Sequence, residues 1–132
     1  MKNECYTYAK NLVKKKTYFI GDLYKKLLVK YNRQDVSGVV RALINEDLLN
    51  DQRLVKLYIY EFVNFKNCSR KYIIEYFKSK KISQNIVNYI LKGYPEESFE
   101  KNKQVIIKVL KERNKNDAYI NNYLLRKGFE ID

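Results

Sequence analysis

Asp47-Leu-Leu-Asn-Asp51, Leu57-Tyr-Ile-Tyr-Glu-Phe-Val63, Ser69-Arg-Lys-Tyr-Ile-Ile-Glu-Tyr-Phe77, Lys80-Lys-Ile-Ser83 and Ile86-Val-Asn-Tyr-Ile-Leu91 follow one another through the middle of a 132-residue chain. Apolar residues three and four apart, broken by short polar turns, predict three short helices in succession. The flanking segments repeat the spacing. Tyr8-Ala9-x-x-Leu12-Val13 recurs as Tyr58-Ile59-x-x-Phe62-Val63 and as Val105-Ile106-x-x-Val109-Leu110. Eleven residues beyond the third apolar position of each stand Leu23, Ile73 and Ile120, and four further on Leu27, Phe77 and Leu124. Thirteen and seventeen residues past Leu23 lie Val36 and Val40, and the same steps from Ile73 reach Ile86 and Ile90. A period of about 45 to 50 residues in a helical pattern predicts a stacked array, in which each unit needs its neighbour to bury its apolar face.

The expected fold is therefore all-α, with tandem three-helix repeats over residues 1–49, 50–93 and 94–132. Thirteen residues past Ile120 lies beyond Asp132, so the third repeat is expected to lack its last helix. Its two helices are predicted from Pro95 to Arg113 and from Asp117 to Lys127. An apolar edge beside Ile120 and Leu124 is then left for solvent or a partner. The first helix is predicted over Glu4 to Lys15, with Tyr8, Ala9, Leu12 and Val13 on one face. The second turns Leu23, Leu27 and Leu28 toward a core, and starts either at Gly21-Asp22 or, extended backward, at Phe19-Ile20. The third begins near Asn32, carries Val36, Val39, Val40, Leu43 and Ile44, and ends in Asn45-Glu46-Asp47. Ser69, Ser83 and Asn116 or Asp117 are placed as N-caps, and Gly93 as a C-terminal stop. Pro95 suits a first helical position, with Glu96 and Glu97 favourable in the first turn.

Composition supports this class and removes others. The chain is 45% hydrophobic, with one Pro and four Gly, few breakers for a β-rich fold. No run approaches the roughly 18 apolar residues of a membrane span, and Met1-Lys2-Asn3-Glu4 does not open a signal peptide, so a cytoplasmic location is expected. The chain has no His, which removes most zinc sites, Ser-His and Cys-His pairs and the commonest general base. Cys5 and Cys68 lack CxxC spacing and read as reduced, partly buried thiols. Neither a G-x-x-x-x-G-K-S/T loop nor a G-x-G-x-x-G turn is present, so no ATP site, cofactor or metal is expected, nor an enzyme.

The formal charge is +12, from 27 Lys and Arg against 15 Asp and Glu. By repeat the net charges are +5, +6 and +1. Such a field steers an acidic partner, either nucleic acid or an acidic protein surface. The candidate contact residues are Lys25, Lys26 and Lys30 on the second helix, Arg70 and Lys71 at the opening of its counterpart, and Lys78, Lys80 and Lys81 at its close. Lys101 and Lys103, in the nearly neutral third repeat, are expected to matter less. Of the 13 Tyr, Tyr8, Tyr58, Tyr72, Tyr76 and Tyr89 fall on or beside the apolar stripes and are expected to pack, whereas Tyr18, Tyr24 and Tyr31 are less clearly core.

Leu48-Leu-Asn-Asp51, followed by a helix, resembles the Leu-Asp-Asp junction of the RecX family, regulators of bacterial RecA recombinase. Ile73-x3-Phe77-x2-Lys80-Lys81-Ile82 and Ile120-x3-Leu124-x2-Lys127-Gly128-Phe129 resemble that family's Ile-x3-Leu-x2-Lys-Gly-aromatic/aliphatic helix ends. The likeness covers nearly the whole chain. It departs at Asn67-Cys68-Ser69, where Gly-Pro is common, at Lys81, where Gly is usual, and in the final helix. The resemblance implies an elongated, curved array lying along the groove of the RecA nucleoprotein filament. It further implies restraint of the filament's ATPase, strand-exchange and coprotease activities, with DNA met as part of the filament. A monomer without cofactor is expected. The alternative is a small basic DNA-binding helical-repeat protein acting without a recombinase. Binding to bare DNA against DNA coated with RecA separates the two.

Overall fold

The computed structural model describes residues 2–131, which form eight α-helices and no strand. These are α1 Lys2–Lys15, α2 Ile20–Leu28, α3 Arg33–Asn45, α4 Asp51–Asn64, α5 Arg70–Ser79, α6 Gln84–Leu91, α7 Glu96–Glu112 and α8 Asp117–Arg126. The expected all-α class is observed. The outer bounds of the first and last predicted repeats, Met1 and Asp132, lie outside the described residues. The chain divides into two compact units, Met1–Leu54 and Val55–Asp132.

In the first unit α3 packs on α1 and α2. Its core joins Cys5 and Ala9 from α1, Leu23 and Leu27 from α2, Val36, Val39, Val40 and Leu43 from α3, and Leu49. Leu28 and Ile44, expected in the core, are 38% and 42% exposed. Each stands one residue past a buried Leu, and a helix turns by about 100° per residue, which swings both away. Cys5 is fully buried, four residues before Ala9 on the same stripe, and behaves as a small hydrophobe. Tyr18, Tyr24 and Tyr31 all pack against this core half-buried, and the Tyr24 hydroxyl hydrogen-bonds Ser37 Oγ.

The junction Leu49-Asn50-Asp51 has a separate task for each residue. Leu49 is buried. Asn50 Oδ1 accepts from the Arg53 N–H at 3.0 Å, capping α4. Asp51 Oδ1 accepts from the Ile20 N–H at 2.8 Å. Of the two starts considered for α2, the earlier one is adopted. Phe19 stands at its N-cap position without a side-chain acceptor, and Asp51 satisfies the first helical N–H instead.

Several helices end in one geometry. Asp47, Lys81, Asn114 and Gly128 take left-handed backbone, with φ of 60°, 58°, 61° and 90°. After α5 the Lys81 N–H donates to Lys78 O and the Ile82 N–H to Phe77 O, both at 3.0 Å. The Leu48 N–H to Leu43 O and the Phe129 N–H to Leu124 O repeat the second of these bonds at 2.9 Å. This double bond satisfies carbonyls the helix leaves open and folds an apolar residue back onto the last turn. Asn32, Ser69 and Asn116 cap α3, α5 and α8 through their side chains. Ser83 holds the cap position of α6 without a side-chain bond, and Pro95 is the N-cap residue of α7, which starts one residue later than expected. The Pro95 backbone is extended there, so the helix opens on Glu96.

In the second unit Ile73 and Phe77 of α5 are fully buried, with Ile59, Phe62, Val87, Leu91, Phe99, Leu110, Ile120, Leu124 and Phe129 also inside. Ile86 and Ile90 are only half-buried, because α6 turns Val87 and Leu91 inward one residue out of the expected register. The turn before α5 ties the unit together. Cys68 O accepts from Asn102 Nδ2 at 3.0 Å. Ser69 Oγ accepts from the Tyr72 N–H at 3.0 Å and donates to Lys127 O at 2.7 Å. Gly128 follows directly, and a Cβ there would lie 2.6 Å from Ser69 Oγ.

Replacing Ile73 or Phe77 by Ala is expected to cost about 2–5 kcal/mol in denaturant unfolding. Gly128→Ala, strained at positive φ and clashing with Ser69, is expected to cost at least about 1–2 kcal/mol. Ser69→Ala, which loses the cap, is expected to cost about 0.5–2 kcal/mol. In the double mutant the clash is relieved, so the costs should fall short of their sum by at least about 0.5 kcal/mol. Additive costs would remove the contact.

Burial raises the Asp51 carboxyl above its ordinary 3.8, outweighing the Ile20 N–H, which lowers it. The folded state therefore keeps this proton where the unfolded chain has released it. The resulting stability is complete below 3.8 and is lost as pH rises through the folded value. Asp51→Asn keeps an acceptor without titrating, so its stability relative to the parent is expected to improve as pH rises through that window. Asp51→Ala should instead lose about 1 kcal/mol near neutrality.

Candidate partner-binding surface

The side of α5 opposite Ile73 and Phe77 carries Lys71, Glu75 and Lys78, all exposed. Glu75 stands four residues after Lys71 and three before Lys78, at the spacing of neighbours on a helix surface. It interrupts the expected basic strip. The cations therefore gather at the C-terminal end, where exposed Lys78 occupies the last turn, Lys80 is the C-cap and Lys81 follows in left-handed backbone. Positive charge there also complements the helix macrodipole.

Arg70 is turned inward on its own unit. Its Nη2 donates to Glu96 Oε2 at 3.2 Å and to Tyr94 O at 3.3 Å, and the guanidinium carbon lies 4.5 Å from the Phe99 ring centroid. These contacts fasten the start of α5 to the start of α7. They give Arg70 a structural task that its position in the sequence does not announce.

In the first unit Lys25, Lys26 and Lys30 are exposed at the C-terminal end of α2. Lys26 Nζ donates to the Tyr18 hydroxyl at 3.3 Å, and Lys30 Nζ lies 4.3 Å from the Tyr8 ring centroid. Lys16 Nζ stands 4.7 Å from the Tyr18 ring. These cations are held over tyrosine rings whose other surfaces pack on the core. Lys30 and Lys80 share one place in the periodicity, seven residues past Leu23 and Ile73.

The third predicted repeat departs from expectation at Lys103, which is only 8% exposed beside buried Asn102. Lys103 lines a depression together with Glu96, Phe99 and Glu100. Lys103 is therefore unsuited to serve as a neutral-surface control, whereas Lys101 and Lys108 are exposed. Tyr89, expected to pack, is 71% exposed, because α6 faces Val87 and Leu91 inward. Tyr58 and Tyr76 do pack, with ring centroids 6.2 Å apart, and Phe62 lies edge-on to both Tyr72 and Tyr76. Among the described residues no three His, Cys, Asp or Glu cluster as a metal site, and no helix is long and apolar enough to cross a membrane.

No protein-family model matches the sequence, and no curated protein matches it. The structure is similar to the crystal structure of RecX from Lactobacillus salivarius, with a TM-score of 0.83 over 99% of this chain and 90% of that one, at 22% identity. It is also similar to a crystal structure of regulatory protein RecX, with a TM-score of 0.82 over 98% of this chain and 67% of that one, at 18% identity. The chain has the RecX fold.

Proposed function

We propose that this protein is a RecX-type regulator that binds a RecA nucleoprotein filament and restrains its ATPase, strand-exchange and coprotease activities. The observation that carries the reading is the fold likeness to RecX over nearly the entire chain. The sequence adds residues that make structural sense of the family resemblance: Asp51 as a cap on α2, and the Lys80-Lys81-Ile82 and Lys127-Gly128-Phe129 helix ends. In this reading the eight helices are two three-helix repeats, α1–α3 and α4–α6, followed by the two-helix repeat α7–α8. The protein acts by contact in the cytoplasm, as a monomer, meeting DNA as part of the filament.

The contact is proposed to involve Lys25, Lys26 and Lys30 in the first unit and Lys71, Lys78, Lys80 and Lys81 in the second. Arg70 would act there by holding α5 in place. Exposed cations at helix ends favour an acidic surface, and their attraction weakens as salt screens it.

RecA-dependent ATP hydrolysis, with and without the protein, tests the function directly. Lys80→Glu with Lys81→Glu is expected to raise the concentration needed for half-inhibition by about tenfold or more at low salt. The stability cost, about 0.3–1 kcal/mol per charge reversed at a helix C-terminus, should leave the helical spectrum intact. Lys101→Glu with Lys108→Glu should have a smaller effect. Unchanged inhibition by the first pair would move the contact elsewhere. Equal binding to bare and RecA-coated DNA would favour direct DNA binding instead.

A further inference from the structure

Between α7, the first turns of α8 and the turn following α4, the second unit holds a groove of about 410 Å³. Its floor is aliphatic, formed by Val105, Ile106, Val109 and Leu110. Val109 is 39% exposed although the periodicity places it on the core stripe, so apolar surface is left open here. Lys66, Arg113, Lys115 and Lys127 also line the groove, and no Asp or Glu does.

Tyrosines complete the wall, and cations stand over two of them. Lys115 Nζ lies 4.7 Å from the Tyr119 ring centroid, and Arg126 and Lys127 approach the Tyr123 ring at 5.5 and 5.6 Å. Tyr72 is set edge-on to Phe62 at 5.9 Å. Base stacking draws on open aromatic faces, and cations already stand over the Tyr119 and Tyr123 rings. Cations held over rings are instead ready to receive carboxylates, and the aliphatic floor suits an apolar side chain. The volume is near the lower end of the range of about 300–1,000 Å³ typical of small-ligand sites, room for an anchoring side chain and its flanks.

We infer that this groove binds an acidic peptide segment of a partner protein, with an apolar anchor on the Val105–Val109 floor and flanking carboxylates paired with Lys66, Arg113, Lys115 and Lys127. The inference goes beyond the regulatory reading and requires no recombinase. It rests on charge complementarity around an open apolar floor.

Cys68 lines the same groove and reports on it. Burial pushes its thiol up, against the pull of Lys66 and Lys127, so thiol modification is best followed at alkaline pH. Cys5 is fully buried and supplies an internal reference. A fluorescein-labelled acidic peptide with a central Leu-Phe pair is titrated into the full chain by anisotropy, and Cys68 modification is timed with and without the unlabelled peptide. Binding is expected to slow Cys68 modification several-fold. Arg113→Glu with Lys115→Glu, both exposed positions, should weaken affinity by about tenfold or more with an unchanged helical spectrum. Val109→Asp should weaken it comparably. The inference is overturned if the charge-reversed protein binds as tightly as the parent, or if a peptide with Ser-Gly in place of Leu-Phe binds and protects equally. It is also overturned if oligothymidylate protects Cys68 and the acidic peptide does not.

Discussion

The second unit depends on one buried hydroxyl. Ser69 is 3% exposed, and its oxygen both caps α5 and donates to the last carbonyl region of α8 at Lys127. A group that both accepts and donates leaves neither the Tyr72 N–H nor the Lys127 carbonyl without a partner in a place where water has little access. Its neighbours continue the pattern, with Cys68 O held by Asn102 and Arg70 held by Glu96 and Tyr94. Three consecutive residues therefore bind α5 to both α7 and α8. Gly128 is required at the point of closest approach, where even a methyl group would meet Ser69 Oγ.

The first unit solves its corresponding problem with a carboxylate. Asp51 reaches the first N–H of α2, and the macrodipole at that helix end favours its charge even as burial opposes it. The C-termini of α3, α5, α7 and α8 are each closed by a left-handed residue, Asp47, Lys81, Asn114 or Gly128, and two returning N–H groups. Only Gly takes that conformation without steric cost, so Lys81 carries a small strain that its C-terminal charge partly offsets. The Lys-rich helix ends thus have a local structural reason as well as a proposed partner.

Charge on this protein is used in two settings. At the ends of α2 and α5 it is exposed at helix C-termini, where salt readily screens it. Around the Val105–Val109 groove, Lys66, Arg113, Lys115 and Lys127 are also exposed but border open apolar surface. The first arrangement suits an extended acidic surface and the second a short segment with an anchor. Both follow from a net charge of +12 distributed over helices whose buried stripes leave few other places for it.

Local rules were sufficient for much of this molecule. The 3.6-residue period placed Ile73, Phe77, Ile120 and Leu124 inside, and Ser69 and Asn116 were recognisable as caps because their short side chains reach an N–H three residues on. The exposed lysines of the candidate surface were legible for the same reason, as the outward side of amphipathic helices. Other features depend on residues distant in the chain meeting. A one-residue rotation of α6 exposes Tyr89 and buries Val87, and no cap or period within that segment distinguishes the two phases. Asp51 finds Ile20 across 31 residues and Ser69 finds Lys127 across 58, so their second tasks arise only when the helices pack. Lys103 is buried, Arg70 is turned inward and the groove keeps its floor open for the same reason. The sequence by itself determined that the chain is helical and near which residues α1, α3, α7 and α8 stop, because those choices are settled within a few residues. Tertiary structure decided which polar groups are partnered and which apolar surface stays uncovered, because these depend on what the rest of each unit brings alongside.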